Sequence, residues 1–468
     1  MNNNKKTQLQ KMAKAKKRLS LSTTQQILFG FILAIIAGTI LLSLPIATFN
    51  HETNILTSLF TATTSVCVTG LVVVDTYAHW TLFGKLVILC LIQLGGLGIV
   101  AFTSLIMVIL HKKVTLKGRM VIQDAFGLNS LQGMVKFVKK AILGSLCVEA
   151  TGALLYSFKF VPMFGFIKGL WYSVFTAISA FCNAGIDIIG PDSLISFNNS
   201  PLVLFTSSFL IISGGIGFVV WWDIVSIIKK IICGRIKFTQ FFKKTSVHSK
   251  IVLSTTFALI IFGFILTFAF EYNNPDTIGN MSFGDKLLNS FFQSVTLRTA
   301  GFAAIDQGAL SSSSVIVSIL LMLIGGSPVG TAGGIKTVSI AVLFFTVVSV
   351  VKGRKQTVAF KRSINDAVVK RALAVTTISI CVFFMFSILL IITNGLGLSD
   401  ATFEMASAVA TVGLTRGITS SLNVAGKIIV ICAMYLGRIG PISMFLAFNN
   451  KYVNSNNVSY AEGNIIAG

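Results

Sequence analysis

The sequence predicts an all-α polytopic membrane protein with four helix–pore loop–helix repeats around a pseudo-four-fold pore and eight transmembrane helices. Three observations support this fold class. The 468-residue chain is 54% hydrophobic and only 11% charged, whereas a soluble chain carries roughly a quarter charged residues. A frame with Phe ten residues before Gly occurs four times, and basic clusters separate the four frames. Together these features predict four similar membrane units in one chain.

The four frames end at Gly70, Gly185, Gly301 and Gly413, which are 115, 116 and 112 residues apart. The residues within each frame are mostly small, hydroxylic or apolar. A short apolar helix that leads into such a glycine is typical of a cation-channel pore loop, whose carbonyls replace the water shell of the ion. One loop is equally compatible with a packing turn in a membrane hairpin, whereas four in register favour a pore. The candidate ion-binding residues are Val68, Thr69, Gly70, Asn183, Ala184, Gly185, Thr299, Ala300, Gly301, Thr411, Val412 and Gly413.

The net charge of +23 does not indicate nucleic-acid binding, because the basic residues form short clusters between apolar runs. That arrangement is typical of cytoplasmic linkers under the positive-inside rule. The apolar run from Ile27 to Ile46 is too long for a signal-peptide core, so we expect a retained first span and a cytoplasmic N-terminus. Seven cysteines, most of them within apolar runs, are interpreted as reduced packing residues.

The predicted organisation follows the four frames. We expect first helices at about 25–45, 141–161, 250–270 and 372–393, and second apolar segments at about 82–110, 201–230, 312–350 and 425–447. The predicted units are a basic cytoplasmic tail at 1–24, repeat 1 at 25–120, repeat 2 at 136–247, repeat 3 at 248–360, repeat 4 at 365–450 and a C-terminal tail at 451–468.

Acidic residues flank the pore loops, on the side opposite to the basic linkers. An acidic outer vestibule would raise the local concentration of cations, although topology alone explains part of this bias. The ten acids are Glu52, Asp75, Asp187, Asp192, Glu271, Asp276, Asp285, Asp306, Asp400 and Glu404.

The second segments carry small residues at matched positions, which in the first two repeats are interpreted as close helix packing. The third repeat differs, because the stretch 325–336 contains five glycines and a proline within an apolar run. Such a stretch does not remain a regular helix, and irregular backbone at membrane depth has to line a cavity. A phosphate-binding loop is excluded because Ile335 stands where that motif needs glycine and no strand precedes it. The candidate gate residues are Gly325, Gly326, Gly330, Gly333, Gly334, Lys336 and Arg438.

Two arginines lie in apolar surroundings. Arg438 occupies a matched position in the fourth second helix, where we expect either an electrostatic barrier to cations or an arginine bonded to helix-end carbonyls. Arg298 stands three residues before Gly301, and its charge would repel an ion. We therefore expect its side chain behind the pore loop, paired with an unidentified acid. Glu149 is also within a span and is interpreted as structural or lipid-shielded.

The segments Thr296–Phe302, Gly325–Thr337 and Gly437–Pro441 resemble the Trk/Ktr/HKT superfamily of potassium and sodium transporters. The resemblance covers about residues 25–448, and the single helix before the first loop is most similar to the bacterial Ktr membrane subunit. It implies that ions pass carbonyl rings around the four frame glycines, with potassium ion as substrate and sodium as an alternative. It also implies that 325–336 is an intramembrane gating loop below the filter and that Arg438 opposes the ion path together with it.

The same resemblance implies potassium uptake across the bacterial plasma membrane by a homodimer, each protomer with its own pore. It implies a cytosolic ring of nucleotide-binding regulator subunits that binds ATP or ADP, while this chain binds no cofactor and has no dinucleotide-binding region. Glycine at position 70 favours potassium, because some sodium carriers of the superfamily have serine there. The alternative is a sodium-coupled or sodium-permeable secondary cation carrier. The sequence predicts no enzyme, since no catalytic constellation lies within the apolar runs.

Overall fold

The structure is a computed structural model that describes residues 22–51, 54–98 and 134–440. The N-terminal tail, Glu52, the first basic linker with Lys112 to Arg119, and the C-terminal tail lie outside the described residues. So do the expected ends of two second helices, at 99–110 and 441–447.

The described chain is almost entirely helical. The helices longer than ten residues are α1 (Thr23–Leu42), α2 (Ile55–Cys67), α3 (Leu82–Leu97), α4 (Met134–Phe164), α5 (Phe166–Cys182), α6 (Pro201–Ile216), α7 (Phe218–Ile232), α8 (Val247–Glu271), α9 (Phe283–Thr296), α10 (Ser312–Leu323), α11 (Thr337–Val351), α12 (Asp366–Asn394), α13 (Leu398–Ala410) and α14 (Val424–Ile439). Short helices lie at Pro45–Ala47, Thr76–His79, Ile195–Phe197, Phe238–Gln240 and Phe241–Lys244.

Polar caps set the starts of several helices. The side chain of Asn54 accepts hydrogen bonds from the first turn of α2, and Ser282 does the same for α9. Ser246 and Ser311 cap α8 and α10 in the same way. Because a capping side chain satisfies amide groups that have no partner within the helix, each cap fixes where the helix begins. The short helices α2 and α9 thus start just after polar loops and run into the interior.

The helices pack in a closed cyclic order. Each first helix packs against the short helix that follows it, in the pairs α1–α2, α4–α5, α8–α9 and α12–α13. Each second helix packs against the short helix of the next unit, so that α3 contacts α5, α6 contacts α9, α10 contacts α13 and α14 contacts α2. The last contact returns from the end of the chain to its beginning. The four helices α2, α5, α9 and α13 are therefore surrounded by the first and second helices and meet in the centre.

The frame phenylalanines contribute to this centre. Phe60, Phe175 and Phe403 are fully buried. In the third unit Phe291 is half-buried and its neighbour Phe292 is fully buried instead. The frame therefore marks the same packing layer in three units and is displaced by one residue in the third.

Four helices among the described residues are long and apolar enough to cross a membrane, namely α1, α4, α8 and α12, and the number is five if the bent pair α6–α7 is counted as one span. The sequence predicts eight spans. The difference arises in the second helices, because α3 and α14 end after 16 residues and the third second segment is divided into α10 and α11. Of these shorter helices, α3, α10 and α11 are apolar along their length.

The predicted helix over 201–230 is wrong as a single helix. It is divided into α6 and α7, which are bent by 102°. Gly98, Gly217 and Gly440 have φ of 85°, 93° and 86° and stand directly after α3, α6 and α14. A positive φ suits glycine and stops an α-helix. The same backbone device thus ends the regular helix in three of the four units.

The third basic linker contains the only strands in the described chain. Strands β1 (Val358–Ala359) and β2 (Arg362–Ser363) form an antiparallel hairpin. The two turn residues Phe360 and Lys361 both have positive φ, which is the backbone of a two-residue hairpin turn. The linker is therefore short and ordered rather than a domain.

Candidate functional site

Three of the four helices that precede the frame glycines, namely α2, α5 and α13, end in the same capping motif. In the first, the amide of Val68 donates to the carbonyl of Ser65 and the amide of Thr69 donates to that of Thr64, at 3.2 and 2.8 Å. The pairs Asn183–Ala184 and Thr411–Val412 repeat these two bonds after α5 and α13. This pattern is a Schellman cap, which needs a left-handed residue just after the helix. The cap turns the chain toward the centre at the three equivalent places.

The left-handed residue is not a glycine at any of these places. Val68, Asn183, Thr299 and Thr411 have φ of 56°, 60°, 69° and 53°. Positive φ is uncommon for β-branched residues and costs free energy of order 1–3 kcal/mol, so it persists only where the surroundings enforce it. Strain of this kind is concentrated at functional sites. Three of the four turns before the frame glycines thus carry an unfavourable β-branched residue, whereas Asn183 in the second turn tolerates this conformation.

The four frame glycines meet in a closed ring, which we call the four-glycine ring (Gly70, Gly185, Gly301 and Gly413). A Cβ atom on Gly70 would collide with the carbonyl oxygen of Ala184, and one on Gly185 with that of Ala300. In the same way, a Cβ atom on Gly301 would collide with the carbonyl oxygen of Val412, and one on Gly413 with that of Thr69. Each glycine therefore faces the carbonyl that precedes the glycine of the next unit. All twelve candidate ion-binding residues belong to these four turns and are buried.

Hydroxyl side chains support the turns from behind. Thr64 accepts a hydrogen bond from the amide of Gly70, and Ser407 accepts one from the amide of Gly413, both at 3.0 Å. In the other two units the hydroxyls donate instead, from Ser179 to the carbonyl of Ile186 and from Thr296 to that of Phe302. Sequence reasoning missed these four positions. The signal was a hydroxyl residue five or six places before each glycine.

Arg298 points away from the ring, but its predicted partner is wrong. The buried guanidinium donates through Nη2 to the carbonyl oxygen of Gly325 at 3.1 Å. Among the described residues the single salt bridge joins Arg416 to Asp400, so Arg298 has no acidic partner there. A carbonyl accepts from arginine without bringing a second charge into the membrane. The side chain thus connects the third turn to the start of the glycine-rich stretch.

The stretch between α10 and α11, which we call the glycine-rich loop (residues 325–336), is held mainly by backbone bonds. The amide of Ser327 donates to the carbonyl of Gly215 at 2.9 Å, and the amide of Thr331 donates to that of Gly214 at 3.1 Å. The Thr331 hydroxyl donates to the carbonyl of Phe181, at the end of α5. Gly333 lies against the side chain of Thr411, with no room for a Cβ atom. The loop therefore passes directly beneath the turns of units two and four.

The two basic candidates are Lys336, at the end of this loop, and Arg438, which contacts the loop from α14. Lys336 donates to the carbonyl of Ala332 at 2.7 Å. Arg438 donates through Nη1 to the carbonyl of Thr331 at 2.5 Å and through Nη2 to that of Gly95. The guanidinium therefore connects the loop of the third unit to α3 of the first unit. These contacts are of the kind expected for the second alternative, an arginine bonded to backbone carbonyls.

The small residues at matched positions serve close approach to the pore-loop helices. Added Cβ atoms on Gly95, Gly214 and Gly437 would collide with the carbonyls of Val66, Phe181 and Val409, each four residues before a ring glycine. Gly325 meets the carbonyl of Gly333 instead. Close packing against a neighbouring helix therefore explains Gly95, Gly214 and Gly437. In the third unit, Gly325 packs against the glycine-rich loop instead.

The predicted acidic vestibule is only partly open to solvent. Glu404 is fully buried within α13 and accepts hydrogen bonds from the hydroxyls of Thr415 and Thr419. Glu271 is also fully buried, where it accepts from Ser311, Thr277 and Asn274. Both carboxylates therefore hold loops together rather than face incoming ions.

Asp187 stands two residues after Gly185 and is half-buried. Burial raises the pKa of its carboxyl group to about 7, and Asp75 adds to the rise, while bonds from Ser193 and the backbone oppose it. The charge of this group therefore changes near neutral pH.

Glu149 has a polar partner within the helices. Gln93 donates through Nε2 to both carboxylate oxygens of Glu149 at 3.1 Å, and Cys182 contacts the Gln93 carbonyl at 3.5 Å. The group therefore joins α3, α4 and α5, in line with the structural alternative. All seven cysteines are free.

Residues 5–460 match the profile of the TrkH family, described as cation transport proteins. The chain is 40% identical to the Ktr system potassium uptake protein B of Bacillus subtilis, over 95% of this chain and 96% of the relative. It is 38% identical to the potassium/sodium uptake protein NtpJ of Enterococcus hirae, over 97% of this chain and 99% of the relative. These matches cover the described residues almost completely.

The fold has a solved counterpart. The crystal structure of the potassium transporter TrkH from Vibrio parahaemolyticus superimposes with a TM-score of 0.69 over 90% of this chain and 85% of that chain, at 16% identity. At this identity the similarity concerns the fold. The sequence-based prediction of the superfamily is confirmed, as is the prediction that the chain is no enzyme. This protein belongs to the TrkH family of cation transport proteins.

Proposed function

We propose that this protein takes up potassium ions across the bacterial plasma membrane along the axis of the four-glycine ring. The observation that carries the proposal is the closed order in which each ring glycine faces the carbonyl before the glycine of the next unit. Carbonyl groups held in such a ring are suited to replace the water shell of a potassium ion. The C-termini of α2, α5 and α13 lie a few residues before the ring, and their partial negative charge favours a cation.

The proposed selectivity filter consists of the twelve residues of the four turns. Three buried hydroxyls in it, those of Thr69, Thr299 and Thr411, have no hydrogen-bond partner among the described residues. Buried hydroxyls are normally paired, and oxygen atoms next to an ion path would find their partners in ions or water. This supports the ring as the place where ions lose their water.

Potassium is the first candidate ion, and a sodium-permeable or sodium-coupled carrier is the second. Relatives from two genera are named potassium uptake proteins, and one of comparable identity is named a potassium/sodium uptake protein. All four units have glycine at the ring position, which allows the same carbonyl geometry in each unit. The presence of glycine in all four units favours potassium. Because one relative is named a potassium/sodium uptake protein, sodium transport also has to be tested.

The proposed topology has four repeats, eight spans and a cytoplasmic N-terminus. The closed packing order of first, short and second helices supports four equivalent units. The second helices α3 and α14 would each span together with residues beyond their terminal glycines, and α10 with α11 would form the third second span. Basic residues concentrate at the ends of the second segments, which supports a cytoplasmic location for those ends.

The glycine-rich loop is the proposed gate, with Gly325, Gly326, Gly330, Gly333, Gly334 and Lys336 in the loop and Arg438 opposite it. Its position beneath Thr411 and its bond to Arg438 support this role. The loop has few large side chains of its own and is held mainly by single backbone hydrogen bonds, together with side-chain bonds that involve Arg298, Thr331 and Arg438. Such a segment can adopt a second arrangement without the loss of a packed core.

The proposed partners are a second copy of this chain and a cytosolic ring of nucleotide-binding regulator subunits that responds to ATP and ADP. A gate needs a source of differential binding energy between its open and closed states. The exposed basic linker at Lys352, Arg354 and Lys355 continues directly from α11, the helix that follows the loop. A basic surface beside the gate suits a partner with acidic or phosphate groups.

The test is rubidium uptake in bacterial cells that lack their own potassium uptake systems, with and without a co-expressed regulator of the Ktr/Trk type. We expect uptake that saturates, that excess potassium inhibits and that the regulator increases. Competition by sodium decides between the two candidate ions. Uptake that potassium does not inhibit, from protein that reaches the membrane, would contradict the proposal.

A further inference from the structure

The segment between α6 and α8, which we call the interfacial segment (residues 218–246), turns away from the direction of α6. At Gly217 the chain turns by 102°, so that α7 runs nearly perpendicular to α6. The indole nitrogen of Trp221 donates to the carbonyl of Ser213 at 2.9 Å and fixes this turn. The segment ends where the apolar helix α8 begins at Val247. Both ends of the segment therefore join apolar helices of the bundle, α6 and α8.

Helix α7 has one apolar face that the protein does not cover. Val225, Ile228 and Ile232 follow the i, i+3, i+7 spacing that places residues on one helix face. Their side chains are 49%, 44% and 80% exposed, whereas Val220 and Ile227, on another face, are buried against the bundle. An exposed apolar face on a helix parallel to the membrane surface is typical of interfacial helices that insert into the headgroup–acyl boundary.

The rest of the interfacial segment is strongly basic. It contains one acid, Asp223, whose carboxylate accepts a hydrogen bond from the amide of Ser246 within the segment itself. Two aromatic side chains, Phe238 and Phe242, are exposed among the charges. Clusters of four to eight basic residues beside a membrane are typical of binding to anionic lipid. The exposed basic residues are Lys229, Lys230, Arg235, Lys237, Lys243 and Lys244.

We propose that the interfacial segment binds anionic phospholipid headgroups of the cytoplasmic leaflet, and that this contact holds the glycine-rich loop in the position described above. The apolar face of α7 would enter the bilayer, and the lysine and arginine side chains would meet the lipid phosphates. The positive charge of the segment complements the negative charge of the headgroups, and the apolar face of α7 is suited to the acyl region. This inference rests on the proposed function for its gating part and on the cytoplasmic location of the basic residues.

Two contacts connect the interfacial segment to the loop. At its start, the amide of Phe218 donates to the carbonyl of Val329 at 3.1 Å, in the middle of the glycine-rich loop. Near its end, the ring of Phe242 lies 5.9 Å from that of Phe360, which in turn lies 6.0 Å from that of Phe345 in α11. A shift of α7 relative to the bilayer would therefore act on the loop and on the helix that follows it. A lipid that fixes α7 stabilises the described arrangement.

The first experiment measures rubidium uptake by the purified full chain in vesicles of phosphatidylcholine alone or of phosphatidylcholine and phosphatidylglycerol in equal parts. Without a regulator, we expect phosphatidylglycerol to lower uptake by about threefold or more, because it favours the described position of the loop. A variant with Lys229, Lys230, Arg235 and Lys237 changed to glutamine should lose this dependence. The charge-matched control changes Lys136, Lys139, Lys370 and Arg371 to glutamine, exposed residues at the same face, and should keep it.

A second measurement does not depend on transport. Brominated phosphatidylglycerol added to the detergent-solubilised chain should quench the fluorescence of Trp221 and Trp222 in the unchanged protein and the control variant. The four-glutamine variant of the interfacial segment should require a several-fold higher lipid concentration. Brominated phosphatidylcholine serves as the reference lipid.

The outcomes separate this inference from the proposed function. Quenching as expected without any rubidium uptake supports the lipid site and contradicts the proposed function. Equal quenching of all variants, or an equal loss of lipid dependence in both four-glutamine variants, overturns the inference. It is also overturned if the interfacial variant changes uptake only when the regulator is present, because the surface would then bind protein instead of lipid.

Discussion

Arg438 donates a hydrogen bond to the carbonyl oxygen of Thr331 at 2.5 Å, across 107 residues of sequence. The same guanidinium contacts the carbonyl of Gly95 in the first unit. One side chain thus joins the first, third and fourth units directly beneath the four-glycine ring. The charge and the hydrogen bonds make different predictions, and a pair of substitutions separates them.

Changing Arg438 to alanine should raise basal rubidium uptake by about tenfold, because a unit charge close to the ion path is removed together with two bonds that hold the loop. Arg438→Lys is the matched variant. Lysine retains the charge but does not present the same planar pair of donors. If the lysine variant takes up rubidium as slowly as the unchanged protein, the barrier is due to the charge. If it takes up rubidium as fast as the alanine variant, the barrier is due to the hydrogen bonds. Loss of uptake in the alanine variant, with normal amounts in the membrane, would exclude a barrier.

The four-glycine ring predicts a specific effect of Gly70→Ser. The residue has φ of 99°, and a Cβ atom would collide with the carbonyl of Ala184, so the ring geometry has to change. We expect preference for potassium over sodium to fall by about tenfold, measured as sodium competition against rubidium uptake. Gly284→Ser is the control, since a Cβ atom there meets nothing. Unchanged competition in the Gly70 variant would remove this residue from the proposed filter.

Asp187 predicts a dependence of uptake on external pH. Its pKa of about 7 means that the carboxylate is charged above neutrality and becomes neutral as the pH falls through 7. A negative charge near the four-glycine ring attracts cations, so the apparent affinity for rubidium should fall by about fivefold between pH 8 and pH 6. Asp187→Asn should show the low affinity at both pH values. An unaltered pH profile in this variant would assign the dependence to another group.

The basic linker after α11 predicts the docking site of the regulator. Changing Lys352, Arg354 and Lys355 to glutamate should weaken co-purification of the nucleotide-binding subunits by at least about tenfold, because charge of the wrong sign would face the partner. It should also remove the opposite effects of ATP and ADP on uptake. Lys370→Glu with Arg371→Glu is the control on the same face. Co-purification at the unchanged yield, with the nucleotide response intact, would mean that these charges only set topology.

Glu271 predicts an effect on stability rather than on transport. Its buried carboxylate accepts bonds from Ser311, Thr277 and Asn274, and it thereby joins the end of α8 to the start of α10. Glu271→Gln replaces one accepting carboxylate oxygen with an amide NH2 group that faces other donors. The free energy of unfolding should therefore fall by about 2–3 kcal/mol. A thermal unfolding scan in detergent measures the loss, with the exposed Asp276→Asn as control. Equal unfolding temperatures would show that the contact contributes little.

Much of the fold could be predicted from local sequence. Apolar runs indicate helices, and the frame from Phe60 to Gly70 recurs with a nearly constant spacing. Glycine and proline between residues 325 and 336 are incompatible with a regular helix, which is a local property of the backbone. The separation of basic and acidic residues depends on their sequence positions relative to the apolar runs. These features need no knowledge of distant contacts.

Other features were decided only by the tertiary structure. The sequence placed Arg298 behind a turn, but its partner is the carbonyl of Gly325 and not an acid, because the loop supplies a backbone oxygen and no carboxylate in the described part of the chain forms a salt bridge with it. The bend at Gly217 also depends on the glycine-rich loop, because the carbonyl of Val329 in that loop accepts a hydrogen bond from the amide of Phe218 at the start of α7.

The burial of Glu271 and Glu404 had the same kind of cause. Both lie beside polar loops in sequence, and hydroxyls brought in by folding satisfy them in the interior. Sequence by itself therefore determined the repeated units and their glycines, because helix periodicity and backbone freedom are local. Tertiary structure decided the closed order of the ring, the partners of the buried charges and the exposed apolar face of α7, because each depends on which unit packs against which.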